Sequence, residues 1–154
     1  MRKVFISYSI EDSKLHLITL LLEHLRKNNY SVSVSNQWVD SDLRIVNADV
    51  FIGIITNNSN SVNYVVKEWQ VARENNVNGF LIVEEGVAIN DLSIPHIRFN
   101  RTNPQKAINE LFNINKSVVS SQQKKNSNNV ADVFLGVAVV AGIAALISLL
   151  SKNK

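Results

Sequence analysis

The chain of 154 residues has no cysteine, only 2 prolines and 5 glycines, and few aromatics, 7% of its residues. Without cysteine there is no disulfide framework, no thiolate nucleophile and no cysteine-ligated zinc or iron–sulfur site; a cytosolic domain suits this composition. The scarcity of glycine and proline excludes a collagen-like chain or a Pro/Gly-rich disordered one. There is no glycine-rich phosphate loop either, since Gly53 lies inside an apolar run and Gly79 and Gly86 stand alone. His16, His24 and His96 are scattered, which reads as solvated or packed histidines and no metal site. No Ser/His/Asp set has a spacing suited to a nucleophilic triad.

What the chain does have is 45% hydrophobic residues, enough for one packed domain. Its net charge of +3 is unevenly spread. Residues 1–115 hold 11 basic and 12 acidic side chains, whereas residues 116–154 hold 5 basic and 1 acidic. A nucleic-acid reader needs a basic stripe on its folded domain. This domain lacks one, so no nucleic-acid partner is expected.

The tail has its own logic. Residues 116–129 (KSVVSSQQKKNSNN) are polar with no apolar period and read as a flexible linker. Residues 130–151 contain eighteen consecutive uncharged residues, 133–150, which as a helix would extend about 27 Å, close to the ~30 Å of a bilayer core. Asp132 lies at one end, and Lys152 and Lys154, in the short basic tail 152–154, lie at the other, free to snorkel. The other reading is a buried or oligomerising helix, but a helix on a domain surface should carry a polar stripe and this one is apolar all round. Ala138 with Gly142 and Ala141 with Ala145 are small pairs four apart, a spacing that lets membrane helices approach and self-associate. The N-terminus has no signal-peptide apolar region before Glu11 and Asp12, so the expected arrangement is a single-pass membrane protein with its soluble domain facing the cytoplasm.

Within residues 1–115 strands and helices alternate. KVFISY (residues 3–8) is β-prone; Asp12 or Ser13 is placed to cap a helix with Leu15, Ile18, Leu22 and Leu25 on one stripe, ending near Asn28 and Asn29. SVSVS (31–35) alternates like an edge strand, whereas ADVFIGIIT (48–56) is nearly continuous in apolar residues, like a strand covered on both faces. A helix from about Asn63 to Asn75, a buried strand at 79–83, an alternating strand at 96–100 and a helix opened by Pro104 complete the domain. The pattern predicts an α/β fold with a flavodoxin-like, doubly wound, parallel five-stranded sheet in the order 2-1-3-4-5.

Such sheets bind ligands at the carboxyl ends of the strands, beside the switch point between the first and third. Here that crevice would be lined by Ser7, Tyr8, Ser9, Glu11 and Asp12 and by residues 56–64, with the helix that follows. Glu68 sits in that helix, bordering the inward stripe of Val65 and Ala72, while Lys67, Gln70 and Glu74 fall on solvated faces. A carboxylate against apolar surroundings in a cleft is a candidate for chemistry. The plainer alternative is an acid favoured by the helix dipole; Val65, three residues earlier, excludes a capping box.

Three stretches resemble the Toll/interleukin-1 receptor (TIR) domain family, especially its small bacterial members. VFISYSIED (residues 4–12) is similar to the family's first-strand box, ADVFIGIITNNS (48–59) to its third strand and following loop, and SVNYVVKEWQVA (61–72) to the Ser…Trp/Tyr-Val-x-x-Glu motif opening its next helix. The resemblance spans residues 2–111 and leaves out the tail. It implies that Glu68 is the catalytic glutamate that cleaves NAD+ between nicotinamide and ribose, NAD+ being substrate rather than cofactor. It further implies that Ser7, Tyr8 and Asp12 approach the nucleotide, that Ser61 and Tyr64 belong to the motif around Glu68, and that Trp69 packs beside the ribose pocket. Residues 36–47 (NQWVDSDLRIVN) stand where the family carries a Pro-Gly loop and a helix; they contain neither Pro nor Gly, and Trp38 would supply an aromatic lid with residues 42–46 a helical turn.

Three functions follow from the resemblance. The first is a membrane-tethered NAD+ glycohydrolase or cyclase in a defence or cell-death response, acting as a homo-oligomer through its TIR domains. The second is a non-catalytic TIR-like adaptor, to which the shortened loop would be suited. The third is a nucleoside-processing enzyme such as a deoxyribosyltransferase, with similar fold and glutamate placement.

Overall fold

The computed structural model describes residues 1–35, 40–89 and 94–121. They form an α/β fold: β1 (Lys3–Ser7), a 3-10 turn (Ile10–Asp12), α1 (His16–Lys27), β2 (Ser31–Val34), α2 (Ser41–Val46), β3 (Val50–Ile55), α3 (Ser61–Glu74), β4 (Asn78–Glu84), β5 (His96–Phe99) and α4 (Pro104–Ser121). The five strands make one sheet in the order β2-β1-β3-β4-β5, and every pairing is parallel. This is the expected order: the chain adds β2 on one side of β1 and β3 to β5 on the other, so the switch point lies between β1 and β3.

Strand periodicity sorts the apolar side chains to two faces. Val4, Ile6, Val50, Ile52, Ile54, Phe80 and Ile82 point to the side covered by α1 and α4, where they meet Leu17, Leu21, Ile108 and Leu111. Phe5, Phe51, Ile55, Leu81 and Val83 point to the side covered by α2 and α3, against Ile45, Val65 and Ala72. The all-buried run of β3 and the half-buried run of β2 are therefore what a central and an edge strand require.

Local details depart from expectation at three places. The helix after β1 is not capped by Asp12 or Ser13: Leu15 stands at its N-cap without a side-chain bond, and Asp12 is committed to the preceding turn. Its buried stripe is Leu17, Ile18, Leu21 and Leu25, with Leu22 only partly covered, because this stripe meets the sheet and α4 together. α4 continues to Ser121, so the first six residues of the expected linker, 116–121, are helical. Asn29 and Asn76, just past α1 and α3, take left-handed φ values of 61° and 57°, a conformation asparagine tolerates better than most side chains. Among the described residues no helix is long and apolar enough to cross a membrane, and the stretch 130–151 read as a span lies outside them.

Candidate functional site

The register of the sheet brings three strands to one level at their carboxyl ends. Ile6 pairs with Val34 on one side, and Ser7 pairs with Gly53 on the other. Because side chains alternate, Ser7 and Ser35 both face the α3 side of the sheet, where α3 passes overhead. Gly53 permits that helix to come close: a Cβ there would lie 2.6 Å from Val65 Cγ1 and 2.6 Å from Leu81 Cδ2. Gly79 does the same lower down, where a Cβ would stand 2.7 Å from Trp69 Cζ3. One helical turn beyond Val65, Glu68 then reaches the ends of β1 and β2.

Glu68 is 5% exposed, and among the described residues its carboxylate is met by hydroxyls alone. Ser7 Oγ donates to Oε2 at 2.5 Å and Ser35 Oγ to the same oxygen at 2.7 Å, lengths typical of hydrogen bonds to a charged acceptor. The Tyr64 hydroxyl donates to Oε1 at 3.3 Å. Ser35 is itself held, because the backbone N–H of Tyr8 donates to its Oγ at 3.2 Å. No Lys, Arg or His forms an ion pair with Glu68 among the described residues. The two oxygens therefore differ among the described residues: Oε2 is anchored twice, whereas Oε1 carries one long bond, which leaves it unused acceptor capacity. Burial raises the Tyr64 phenol above its ordinary pKa, and the neighbouring Glu68 charge adds to that rise.

A second polar set lies at the ends of β3 and β4. The Thr56 hydroxyl is 2.9 Å from each carboxylate oxygen of Asp12, and the Thr56 N–H donates to Ser61 Oγ at 2.9 Å. Burial raises the Asp12 carboxyl above its usual pKa, opposed in part by the bonds from Thr56 and Ser61 and by the Arg101 charge. Arg101 lies against Glu84 through Nε at 2.8 Å and Nη2 at 2.9 Å, and Glu84 also accepts the N–H of Asn57. That grip holds Glu84 below the usual carboxylate range.

Of the residues singled out from sequence, Ser7, Tyr64 and Glu68 thus come together directly. Tyr8 contributes its backbone N–H, while its ring packs with the core on the opposite sheet face. Asp12 and Ser61 share the second set through Thr56. Trp69 lies over Phe51, ring centres 5.6 Å apart, and fills the space above Gly79. Trp38 lies outside the described residues. His24 stacks on Phe112, and among the described residues no group of three or more His, Asp or Glu could hold a metal. Ser35 was missed by sequence reasoning although its signal was present: with β2 beside β1, the alternation of SVSVS sets a serine level with Ser7 on the same face. No protein-family model matches the chain, and no curated protein matches it.

Proposed function

We propose that the chain is a membrane-anchored, TIR-like NAD+ glycohydrolase or cyclase with Glu68 as its catalytic carboxylate. The observation that carries this reading is the asymmetry of that carboxylate: buried, fixed through Oε2 by Ser7 and Ser35, and met at Oε1, among the described residues, only by the long bond from Tyr64. Its position at the strand ends beside the β1/β3 switch point supports the reading, as this is where open parallel sheets take ligands.

The chemistry asks for one acid rather than two. Glycosidases that cleave neutral sugars pair two carboxylates because the leaving oxygen must be protonated. Nicotinamide leaves from a cationic ring nitrogen, so the C1′–N bond breaks with its electron pair passing to the ring, and no proton donor is required. Glu68 accepts hydrogen bonds from the ribose hydroxyls and stabilises positive charge developing at C1′. Water then adds to C1′ and loses a proton, giving ADP-ribose, or an internal nucleophile of the nucleotide adds and gives a cyclic product.

The second reading, a non-catalytic adaptor assembling with other TIR domains at the membrane, has one observation in its favour. Leu43 and Val46 of the six-residue α2 are 62% and 43% exposed, an apolar pair available for contact. Nicotinamide release from NAD+ by the full-length chain in lipid vesicles, with and without Glu68→Ala, separates the two. Release confined to the wild type supports the enzyme, and no release at high protein density supports the adaptor.

A further inference from the structure

Ser35, one of the two hydroxyls on Glu68 Oε2, stands one residue past β2, at the end of the sheet's edge strand. Along β2 alternate residues turn their backbone groups to β1: the N–H of Ser31 donates to the Arg2 carbonyl at 2.8 Å and that of Ser35 to the Ile6 carbonyl at 2.9 Å. Val34, out of phase with them, turns its carbonyl to the open edge, where no strand among the described residues donates to it. Arg44 of α2 does so instead, from Nη1 at 3.2 Å. The end of β2 is thus held from two sides, by β1 within the sheet and by Arg44 outside it.

Stability alone does not account for this bond. The Nε and Nη2 of Arg44 are buried and meet no hydrogen-bond partner among the described residues, and a guanidinium taken out of water for one carbonyl gives up more hydration than that bond returns. Its location supplies another reason. Val34 is followed directly by Ser35, whose hydroxyl lies 2.7 Å from Glu68 Oε2. On the other side of the carboxylate, burial raises the Tyr64 phenol that donates to Oε1, and the Arg44 charge offsets part of that rise. Arg44 therefore stands beside both Ser35 and Tyr64 without itself bonding to Glu68.

We infer that Arg44 is a positioning residue for Glu68: it fixes the end of β2 through the Val34 carbonyl and so keeps the Ser35 hydroxyl on Oε2. It acts through Ser35 and need not reach a ligand. The inference rests on the reading of Glu68 as the catalytic carboxylate. It deepens that reading by making α2 part of the site, although among the described residues α2 sends no group to the carboxylate.

The test uses the full-length chain in lipid vesicles as wild type, as Arg44→Met, which fills similar space without the donors, and as Arg44→Lys, which keeps a charged donor. Amide hydrogen exchange follows the N–H of Ser35, bonded to Ile6, and that of Tyr8, bonded to Ser35 Oγ. Both should exchange about tenfold faster in Arg44→Met, as loss of a hydrogen bond from a charged donor implies, while the paired Ile54 and Ile82 in the middle of the sheet keep their rates. Arg44→Lys should fall between, and answers for the case in which the methionine variant does not fold. Nicotinamide release should show kcat lowered about threefold to tenfold in Arg44→Met with KM for NAD+ little changed. Adding Arg44→Met to Ser35→Ala should slow release no further, because both changes break one link. Unchanged exchange at Ser35 and Tyr8 in a folded variant, or a double variant slowed by the product of the two single effects, overturns the inference. If the wild type releases no nicotinamide, the glycohydrolase reading fails, and amide exchange alone decides whether Arg44 holds Ser35.

Discussion

At the residue scale, the two oxygens of Glu68 divide between anchoring and chemistry. Among the described residues Oε2 takes the Ser7 and Ser35 hydroxyls and Oε1 only the distant Tyr64 phenol. Removing one anchor should let the carboxylate swing without deleting it, so Ser35→Ala is expected to lower kcat for nicotinamide release about tenfold, with KM little changed and Ser35→Thr restoring most of the rate. Steady-state kinetics of the three proteins checks this. Asp12 carries a prediction of a different kind. Burial raises its folded-state pKa above the unfolded value of about 3.9, so its contribution to stability is fully present below that value and is lost as pH rises through the folded one. Asp12→Asn, which cannot ionise, should therefore gain on the wild type in urea unfolding as pH goes from 3 to 8; a wild type that gains on the variant instead would contradict the account. The sequence made Glu68 and Ser7 visible because each lies in a patterned stretch. It left Ser35 obscure, since a serine at the end of an alternating edge strand looks solvated until the helix that passes over that strand end is known.

At the scale of elements, the site depends on how closely α3 lies on β3 and β4. Gly53 and Gly79 lack the atoms that would hold the helix away, and their neighbours are Val65, Leu81 and Trp69. Gly53→Ala should cost about 1–3 kcal/mol by overpacking and should also reduce turnover, because lifting Val65 draws Glu68, one turn on, away from Ser7. Denaturant unfolding and nicotinamide release, measured together, test both effects. The elements themselves were legible: the apolar run of β3, the alternation of β2 and β5, and Pro104 at the start of α4 each carry a local signal. The start of α1 was not, because Asp12 looks like a cap in sequence and is recruited by Thr56, 44 residues away. Such a pairing depends on the packing of β1 against β3, which no local pattern encodes.

At the scale of the whole molecule, the parallel sheet sets the ends of β1, β2 and β3 side by side, and everything proposed for the site follows from that placement. The order 2-1-3-4-5 was readable from the succession of edge-like and interior-like strands; the hydroxyl cage around Glu68 was not, because it joins residues from β1, α3 and the end of β2. If the apolar stretch at 133–150 anchors the chain as proposed, crowding it on a vesicle should aid assembly, and specific activity should rise with the protein-to-lipid ratio. The central claim is the carboxylate, and its most direct test is nicotinamide release from NAD+ by the full-length chain at high density in vesicles, beside Glu68→Gln. The account predicts release by the wild type and a loss of at least a hundredfold in the variant, the scale of removing one key electrostatic contact at a transition state. Equal release by the two proteins, or none by the wild type, would contradict it.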